Sequence, residues 1–331
     1  MVYVLLLLGF LLLVKGADYF VDGSSSIATS LKIPPLVIGL TIVAFGTSAP
    51  EAAVSITASI QGQNGIALGN VIGSNIFNLL CVIGMSAFIK PLSVKKSILI
   101  KEFPFLILSS VLLLVLTDDL LFQQSQNPIL SNGDGLVFLM FFGIFMYYLL
   151  EVALNSRNEK IDSNSVTTLL DNDNGNNTCV ATMSMSKSVL LSIIGIVGIV
   201  IGGKLVVDSA SAIALNFGVS EKIVGLTIVS IGTSLPEFVT SVIAASKGES
   251  DIALGNVIGS NIFNILFILG VSALISPMPV DPSLFLDIVI MIFITIITYL
   301  FSIRKRDISK FEGIMLIIAY VAYMLFIVFK I

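Results

Sequence analysis

The sequence predicts an all-α polytopic membrane protein in which ten transmembrane helices form two inverted five-helix repeats. Of its 331 residues, 56% are hydrophobic and only 11% are charged, whereas about a quarter of the residues in a soluble domain are charged. Apolar stretches of about 20 residues recur along the chain, and each can cross ~30 Å of hydrocarbon as a helix. The run GNVIGSNIFN occurs at residues 69–78 and again at residues 255–264.

The apolar stretches number ten. The first lacks the basic region of a signal peptide and has a counterpart later in the chain, so we expect it to be retained as a helix. The expected spans are residues 2–21, 35–60, 66–89, 98–116, 135–154, 189–207, 223–245, 252–275, 284–303 and 313–329.

The positions of Lys and Arg predict the orientation of the chain. Most of these residues follow odd-numbered spans, and few (Lys204, Lys222 and Lys330) lie toward the other side. We therefore expect a multi-pass protein of the cell (plasma) membrane with both termini outside and a cytoplasmic central loop. Cys81 lies within a span and Cys179 in that loop, so no disulfide is expected.

An internal repeat explains why the run occurs twice. When the chain is shifted by 186 positions, residues 39–91 match residues 225–277 without a gap, and roughly three-fifths of the positions are identical. Each unit contains an odd number of spans, so the second copy enters the membrane from the opposite side. Inverted repeats of this kind are typical of secondary transporters that bind substrate near the bilayer midplane. Channels can also be pseudo-symmetric, so the duplication favours transport without specifying exchange.

The repeat also predicts the domain organisation. Residues 1–154 form the first five-helix repeat and residues 187–331 the second, inverted one. Residues 155–186 between them are rich in Asn, Asp, Ser and Thr and poor in large apolar residues. This composition is typical of a flexible linker.

Two acidic residues, Glu51 and Glu237, lie deep inside apolar spans. An ionised carboxylate in hydrocarbon costs several kcal/mol unless a cation compensates its charge. No Lys or Arg lies at a comparable depth. The two glutamates are therefore the first candidates for a functional site.

Hydroxyl groups accompany each glutamate at helical spacing. A Thr and a Ser precede it by four and three residues and so share its helix face. These residues are Thr47, Ser48, Thr233 and Ser234. A proline directly before each glutamate, Pro50 or Pro236, is expected to kink the helix and free carbonyl oxygens beside the carboxylate.

Carboxylates, hydroxyls and carbonyls are hard oxygen ligands, which Ca²⁺ and Na⁺ prefer. The sequence contains no His, which argues against zinc, copper and a His-based proton relay. Two opposed carboxylates supply the charge that one Ca²⁺ neutralises. No Ser-Lys or paired-Asp constellation points to an enzyme, and we expect no cofactor, no nucleic acid and no obligatory protein partner apart from the lipid bilayer.

The duplicated run supplies a second polar face. A Ser and an Asn four residues apart share a helix face in each copy, and the glycines of the run permit close packing against the glutamate helices. The polar residues are Ser74, Asn78, Ser260 and Asn264, and the glycines are Gly69, Gly73, Gly255 and Gly259. Asn75 and Asn261 point elsewhere and are expected to bond between helices. Near the span ends, Asp18, Asp22 and Asp208 are expected to be hydrated.

The segments GTSAPE and GTSLPE, each with its GNVIGSNIFN, resemble the paired alpha-repeat signatures of the calcium/cation antiporter superfamily. The likeness is to its sodium/calcium exchanger family, in the prokaryotic, potassium-independent form, and it covers nearly the whole chain in order. The resemblance implies electrogenic exchange of Na⁺ for Ca²⁺ through alternating access, with about three Na⁺ for one Ca²⁺.

The resemblance also implies a ligand set. Calcium maps onto the carboxylates of Glu51 and Glu237 and the backbone oxygens of Thr47 and Thr233. Asn78 and Asn264 line the middle of the site. Sodium, which shares the glutamates, maps onto Ala44, Thr47, Ser48, Ser74, Ser230, Thr233, Ser234 and Ser260.

The sequence departs from the family pattern at three places. Asn264 stands where some relatives carry Asp, which makes the site one negative charge poorer. Ser230 stands opposite Ala44 of the first repeat, but only a backbone carbonyl is used there. The large regulatory loop is absent, because the linker is too short for a domain.

Two alternatives remain open at this point. A proton/calcium exchanger would use the same glutamates, although the hydroxyl pairs favour sodium. A cation channel would conduct without an obligatory counter-ion.

Overall fold

The computed structural model describes residues 2–117, 128–167, 183–217 and 230–330. Cys179 and the first part of the seventh expected span, residues 223–229, lie outside the described residues. The described chain is almost entirely helical, with four two-residue strands in the loops.

The first half contains six helices. They are α1 (Val2–Leu31), α2 (Pro35–Thr47), α3 (Ala49–Ile60), α4 (Asn64–Ile89), α5 (Ile98–Thr117) and α6 (Asn132–Thr167). Three of them include a π-helical turn, at Gly39–Val43 in α2, Asn78–Val82 in α4 and Ile98–Glu102 in α5. Such turns often occur at functional sites.

The second half repeats much of this order. Its helices are α7 (Met185–Asn216), α8 (described from Ser230 to Thr233), α9 (Leu235–Lys247), α10 (Ser250–Ile275), α11 (Pro282–Lys305) and α12 (Lys310–Lys330). A π-helical turn again lies inside the helix of the duplicated run, at Phe263–Ile268 of α10. The turn before that helix contains a left-handed glycine in both halves, Gly62 (φ 71°) and Gly248 (φ 85°).

Among the described residues, eight helices are long and apolar enough to span a membrane, or nine if the bent pair α2 and α3 forms one span. Several helices are longer than the expected spans. The first was expected to end at Val21 but continues to Leu31, and the sixth was expected to end at Val207 but continues to Asn216. Hydropathy alone underestimated both, because their later turns contain charged and small residues that are tolerated on a helix.

Two short strand pairs each join two loops that the repeat predicts to lie on the same membrane face. Strand β1 (Leu92–Ser93) pairs with β4 (Asp307–Ile308), and β2 (Ile129–Leu130) pairs with β3 (Met278–Pro279). The first pair joins loops after odd-numbered spans, and the second joins loops after even-numbered spans. Both pairings fit the expected threading.

Helices α1 and α7 pack against each other along glycines. A Cβ added at Gly16 would lie 2.7 Å from the backbone N of Ile199 and 2.8 Å from the carbonyl O of Gly195. The two backbones approach this closely only because Gly16 and Gly195 have no side chains. Helices α4 and α10 are the most buried of the long apolar helices, with 72% and 78% of the residues in their most apolar stretches inside the protein. These two central helices carry the duplicated run.

Candidate ion-binding site

The bend between α2 and α3 positions the first glutamate. The helix breaks at Ser48 (φ −81°, ψ 6°), and the axes of α2 and α3 differ by 51°. Pro50 therefore stands in the first turn of a new helix, where a backbone N–H is not needed, and not inside a kinked one as expected. Glu51 lies in the same first turn, where the helix dipole favours a negative charge.

The second half repeats this arrangement. Ser234 has nearly the same backbone conformation as Ser48 (φ −91°, ψ 5°), and α9 begins directly after it with Pro236 and Glu237 in its first turn. Each glutamate thus stands at the start of a half-helix, directly after the end of another. In transporters, discontinuous helices of this kind form ion sites from helix ends and carboxylates.

Both carboxyl groups are completely buried, and each is held by the opposite half of the chain. Ser48 donates to Oε1 of Glu237 at 2.7 Å, and Ser234 donates to Oε1 of Glu51 at 2.8 Å. The second oxygen of each glutamate, Oε2, is buried and has no hydrogen-bond partner among the residues that the structure describes. A buried, unpartnered carboxylate oxygen is costly, and a cation is the partner that would compensate it.

The hydroxyl of Ser74 adjoins the first carboxylate. Ser234 Oγ lies 2.8 Å from Glu51 Oε1 and 3.0 Å from Ser74 Oγ, so the three side chains form one cluster. Ser260, the counterpart of Ser74, lies instead 3.4 Å from the carbonyl O of Ala44. The side chain of Ser230 is not described; its backbone begins α8.

Four asparagines form a buried, nearly symmetric cluster between α4 and α10. Asn75 and Asn261 each donate to the other's backbone carbonyl at 3.3 Å, which confirms the prediction that they bond between helices. Asn78 donates to Oδ1 of Asn261 at 3.0 Å, and Asn264 donates to Oδ1 of Asn75 at 3.1 Å. Within the described part of the chain, the side-chain oxygens of Asn78 and Asn264 are buried without a partner, as are the two Oε2 atoms.

Sequence reasoning missed two further asparagines, Asn70 and Asn256. Asn256 Oδ1 lies 3.0 Å from the hydroxyl of Thr47, and its amide donates to Ser241 at 2.8 Å and to the carbonyl O of Glu237 at 3.3 Å. The other half repeats this pattern with Thr233, Asn70 and Ser55, at 3.4 and 2.9 Å. The repetition of this asparagine at the second position of the duplicated run could have indicated its importance, but no role was assigned to it from the sequence.

The threonine hydroxyls are thus engaged within the protein. Thr47 Oγ1 lies 3.0 Å from the carbonyl O of Val43 as well as from Asn256. Thr47 is completely buried. Its backbone carbonyl, at the end of α2, is therefore a better candidate for an ion than its hydroxyl.

Close packing of the duplicated run against a glutamate helix is present in one half. A Cβ at Gly259 would lie 2.7 Å from the carbonyl O of Leu40, and one at Gly255 would lie 2.9 Å from that of Leu36. Among the described residues, no atom lies within 4 Å of a Cβ built at Gly69 or Gly73. The segment that the repeat places opposite them, residues 222–229, is outside the described residues.

The donor set has the chemistry of a hard-cation site. It consists of two carboxylates with neutral hydroxyl, amide and carbonyl oxygens, and within the described ranges no cluster of three His, Cys, Asp or Glu side chains exists. A metal such as zinc, which prefers His and Cys, is not served by these groups. The fold defines a multi-pass membrane protein, and the buried oxygen groups between its halves form a candidate site whose chemistry suits hard cations.

Comparison with known proteins identifies the family. The model of the sodium/calcium exchanger protein family matches residues 1–151 and 187–329. The chain is 40% identical to the putative antiporter CaxA of Alkalimonas amylolytica, covering 97% of this chain and 96% of the relative. It is 36% identical to the sodium/calcium exchanger MaX1 of Methanosarcina acetivorans, covering 97% of each.

A solved structure agrees with this likeness. The structure of the sodium-calcium exchanger NCX_Mj matches with a TM-score of 0.81 and 33% identity, covering 98% of this chain and 99% of that one. The chain therefore belongs to the sodium/calcium exchanger family and is an antiporter of that family. The predicted family is confirmed; it is a family of transporters and not of enzymes.

Proposed function

We propose that this protein exchanges Na⁺ for Ca²⁺ across the cell membrane by alternating access, with both ions binding between α2–α3, α4, α8–α9 and α10. The observation that carries the proposal is the pair of buried glutamates. Glu51 and Glu237 are held crosswise by serines of the opposite half, and each keeps one oxygen that no described residue bonds. Sequence similarity to named sodium/calcium exchangers supports the choice of ions.

In this proposal one Ca²⁺ is bound by the carboxylates of Glu51 and Glu237 and the backbone oxygens of Thr47 and Thr233. Two carboxylates neutralise one divalent ion, and neutral oxygens complete its shell. The break at Ser48 ends α2 next to the first carboxylate, so the last carbonyls of that helix are available beside Glu51. Thr47 supports this assignment because its hydroxyl is already engaged by Asn256.

Na⁺ shares the glutamates and takes the remaining oxygens of the site. We assign to it the side chains of Ser48, Ser74, Ser234 and Ser260 and the backbone oxygens of Ala44, Thr47, Ser230 and Thr233, with Asn78 and Asn264 in the middle. The Oδ1 atoms of Asn78 and Asn264, which have no partner among the described residues, support their place in the set. Exchange of about three Na⁺ for one Ca²⁺ would move net charge, as the resemblance implies.

The ten-helix, inverted-repeat threading belongs to the same proposal. The repeated helix break, the left-handed glycines and the loop pairings support it. Because the two halves run in opposite directions, their equivalent groups meet at the centre of the membrane and can be exposed to either side in turn.

The test is calcium flux into liposomes that contain the purified protein. Sodium, potassium and proton gradients are imposed one at a time, with the membrane potential clamped. We expect uptake driven by sodium alone, and a membrane potential that builds up during exchange when the clamp is removed. Uptake that follows the pH gradient and ignores sodium would indicate a proton/calcium exchanger, and flux without any counter-ion gradient would indicate a channel.

A further inference from the structure

A groove lies between α11, α12 and the π-helical turn of α4, and none of its lining residues is a proposed ion ligand. Its volume is about 540 Å³, within the range of about 300–1,000 Å³ that ligand pockets occupy. Leu80, Ile294 and Leu316 form its floor and are at least nine-tenths buried. Phe293 and Phe326 line it and are exposed at the surface.

The groove has the length of one membrane leaflet. On α11 its lining extends from Ile290 to Phe301, which is about 16 Å at ~1.5 Å per residue. One leaflet contributes about half of the ~30 Å hydrocarbon thickness. The groove therefore has room for an extended acyl chain.

Two basic residues follow the α11 residues that line the groove, at its predicted cytoplasmic end. Ile290, Ile294, Ile297 and Phe301 recur at helical spacing, and the next positions on the same face are Arg304 and Lys305. Both are exposed, and neither forms an ion pair within the described part of the chain. Their charge complements a phosphate at the headgroup level.

We propose that this groove binds an anionic phospholipid, with its phosphate on Arg304 and Lys305 and one acyl chain between α11 and α12. Leu80 connects the groove to the ion site, since it lies in the same π-helical turn as Asn78. A bound chain would therefore support the turn that carries a proposed ion ligand. The lipid site itself does not depend on the proposed exchange activity.

The chain has no Trp, so one introduced Trp reports on one place. Phe293→Trp sits on the groove, and Ile144→Trp on the exposed face of α6 is the matched control. The protein is placed in vesicles containing phosphatidylglycerol or phosphatidylcholine with brominated chains, and quenching gives the relative affinity for the two lipids. We expect a preference for phosphatidylglycerol of order tenfold at Phe293→Trp and none at Ile144→Trp.

Further variants test each half of the site. Arg304→Gln with Lys305→Gln, or Ala319→Phe in the groove, should abolish the preference, whereas Lys96→Gln with Lys187→Gln on the same membrane face should keep it. Equal preference at both Trp positions, or a preference that survives the Arg304 and Lys305 changes, would overturn the proposal. Exclusion of all lipids by a second copy of the chain would overturn it as well.

A second inference comes from a difference between the repeats. Lys247, at the end of α9, bonds Asp18 at 2.6 Å and Asp22 at 2.7 Å, so it ties α9 to α1. Burial disfavours its charge, but the hydrogen bonds and charges of the two aspartates outweigh burial and hold the pKa of Lys247 above its ordinary value. The expectation that Asp18 and Asp22 are simply hydrated is therefore wrong.

The other half has no such triad. The shift of 186 residues that relates the repeats places Gln61 at the position of Lys247, and Lys204 and Asp208 at those of Asp18 and Asp22. Two further links on the same face also lack counterparts. Lys95 pairs with Asp251, whose counterpart is Gly65, and Ser25 donates to Glu249 at 3.1 Å, whose counterpart is Gln63.

We infer that these links hold the predicted cytoplasmic face closed, and so bias the protein against the inward-open state. The functional consequence rests on the proposed alternating access, but the difference in local stability does not. Lys247 is the centre of the device because it holds α1 at two points one helical turn apart.

Hydrogen exchange tests the local part without transport. Lys247→Gln should raise the rate of amide hydrogen exchange in residues 15–31 of α1 roughly three- to tenfold and leave the equivalent part of α7 unchanged. Lys247→Arg keeps the positive charge and should largely retain the slow exchange of the unmodified protein. Unchanged exchange in α1 would overturn the inference. During transport, Lys247→Gln should also raise the apparent calcium affinity measured from the cytoplasmic side. Faster hydrogen exchange in α1 without this change in affinity would overturn only the bias against the inward-open state.

Discussion

The hydroxyl of Ser48 donates a hydrogen bond of 2.7 Å to Oε1 of Glu237, a residue 189 positions away in the other half of the chain. The reverse bond, from Ser234 to Glu51, measures 2.8 Å. Neither half therefore completes the surroundings of its own carboxylate. A site built in this way exists only when the two repeats are packed together.

Glu51→Gln and Glu237→Gln should each abolish calcium transport while leaving a folded protein. The change keeps the side-chain shape but removes one of two charges beside the ion. At about 4 Å and an effective dielectric of about 20, one carboxylate charge attracts a divalent ion by about 8 kcal/mol before desolvation is counted, so calcium affinity should fall more than ~100-fold. Liposome flux and calcium binding measure the loss.

The matched control is Glu102→Gln. Glu102 is also buried, accepts a hydrogen bond of 2.6 Å from Tyr148 and has an Oε2 that no described residue bonds, but it lies on α5 outside the proposed site. Its variant should keep calcium transport. Near-normal flux in Glu51→Gln or Glu237→Gln would refute the central site.

Ser48→Ala and Ser234→Ala should weaken calcium binding about 10- to 100-fold. Each removes a buried hydrogen bond to a carboxylate, and bonds to charged groups contribute about 1.5–3 kcal/mol. Calcium titration of the purified variants measures the effect. Because the two bonds are related by the repeat, we expect losses of similar size, and an effect confined to one serine would contradict the crosswise arrangement.

Asn256→Ala and Asn70→Ala should lower both stability and calcium affinity. Asn256 connects the hydroxyl of Thr47 to Ser241 and to the backbone of Glu237, so its removal frees several buried groups at once. Thr47→Val removes only the hydroxyl and should lower calcium affinity about tenfold or less. Thermal unfolding and calcium titration compare the variants. A larger loss in Thr47→Val than in Asn256→Ala would mean that the hydroxyl itself binds the ion.

The two glutamates and their hydroxyl neighbours could be found from the sequence because charge in an apolar span and helical spacing are both local properties. The exact break at Ser48 could not, since a proline permits either a kink or a new helix. The pairing of Lys247 with Asp18 also depended on how α1 and α9 pack. Asn256 was missed for the same reason, because its partners come from two other helices.

Cysteine labelling should reveal opposite sides for two loops. A cysteine introduced at Lys95, and the native Cys179, should react only from the cytoplasm, whereas one introduced at Ser131 should react only from outside. Lys95 lies beside the loop strand β1 and Ser131 beside β2, which belong to different strand pairs. Membrane-impermeant thiol reagents applied to intact cells and to inverted vesicles provide the measurement. Labelling of positions 95 and 131 from the same side would contradict the inverted threading.

Asn264 should make calcium exchange independent of potassium. Its amide donates to Asn75 at 3.1 Å, and its Oδ1 is buried with no partner in the described ranges, so it offers the ion site an oxygen without a charge. A negative charge at this place would favour an additional monovalent cation, and in a partly dry site that attraction is large. An aspartate could also take up a proton.

Asn264→Asp should accordingly introduce potassium or pH dependence into sodium-driven calcium flux. The measurement compares flux with and without potassium on either side, at several pH values and with the membrane potential clamped. Asn261→Asp is the matched control, because it adds the same charge one helical turn away on α10, at a residue that bonds between helices. A strict potassium requirement in the unmodified protein would contradict the assignment, as would an identical response of the two variants, since a charge anywhere in the asparagine cluster would then suffice.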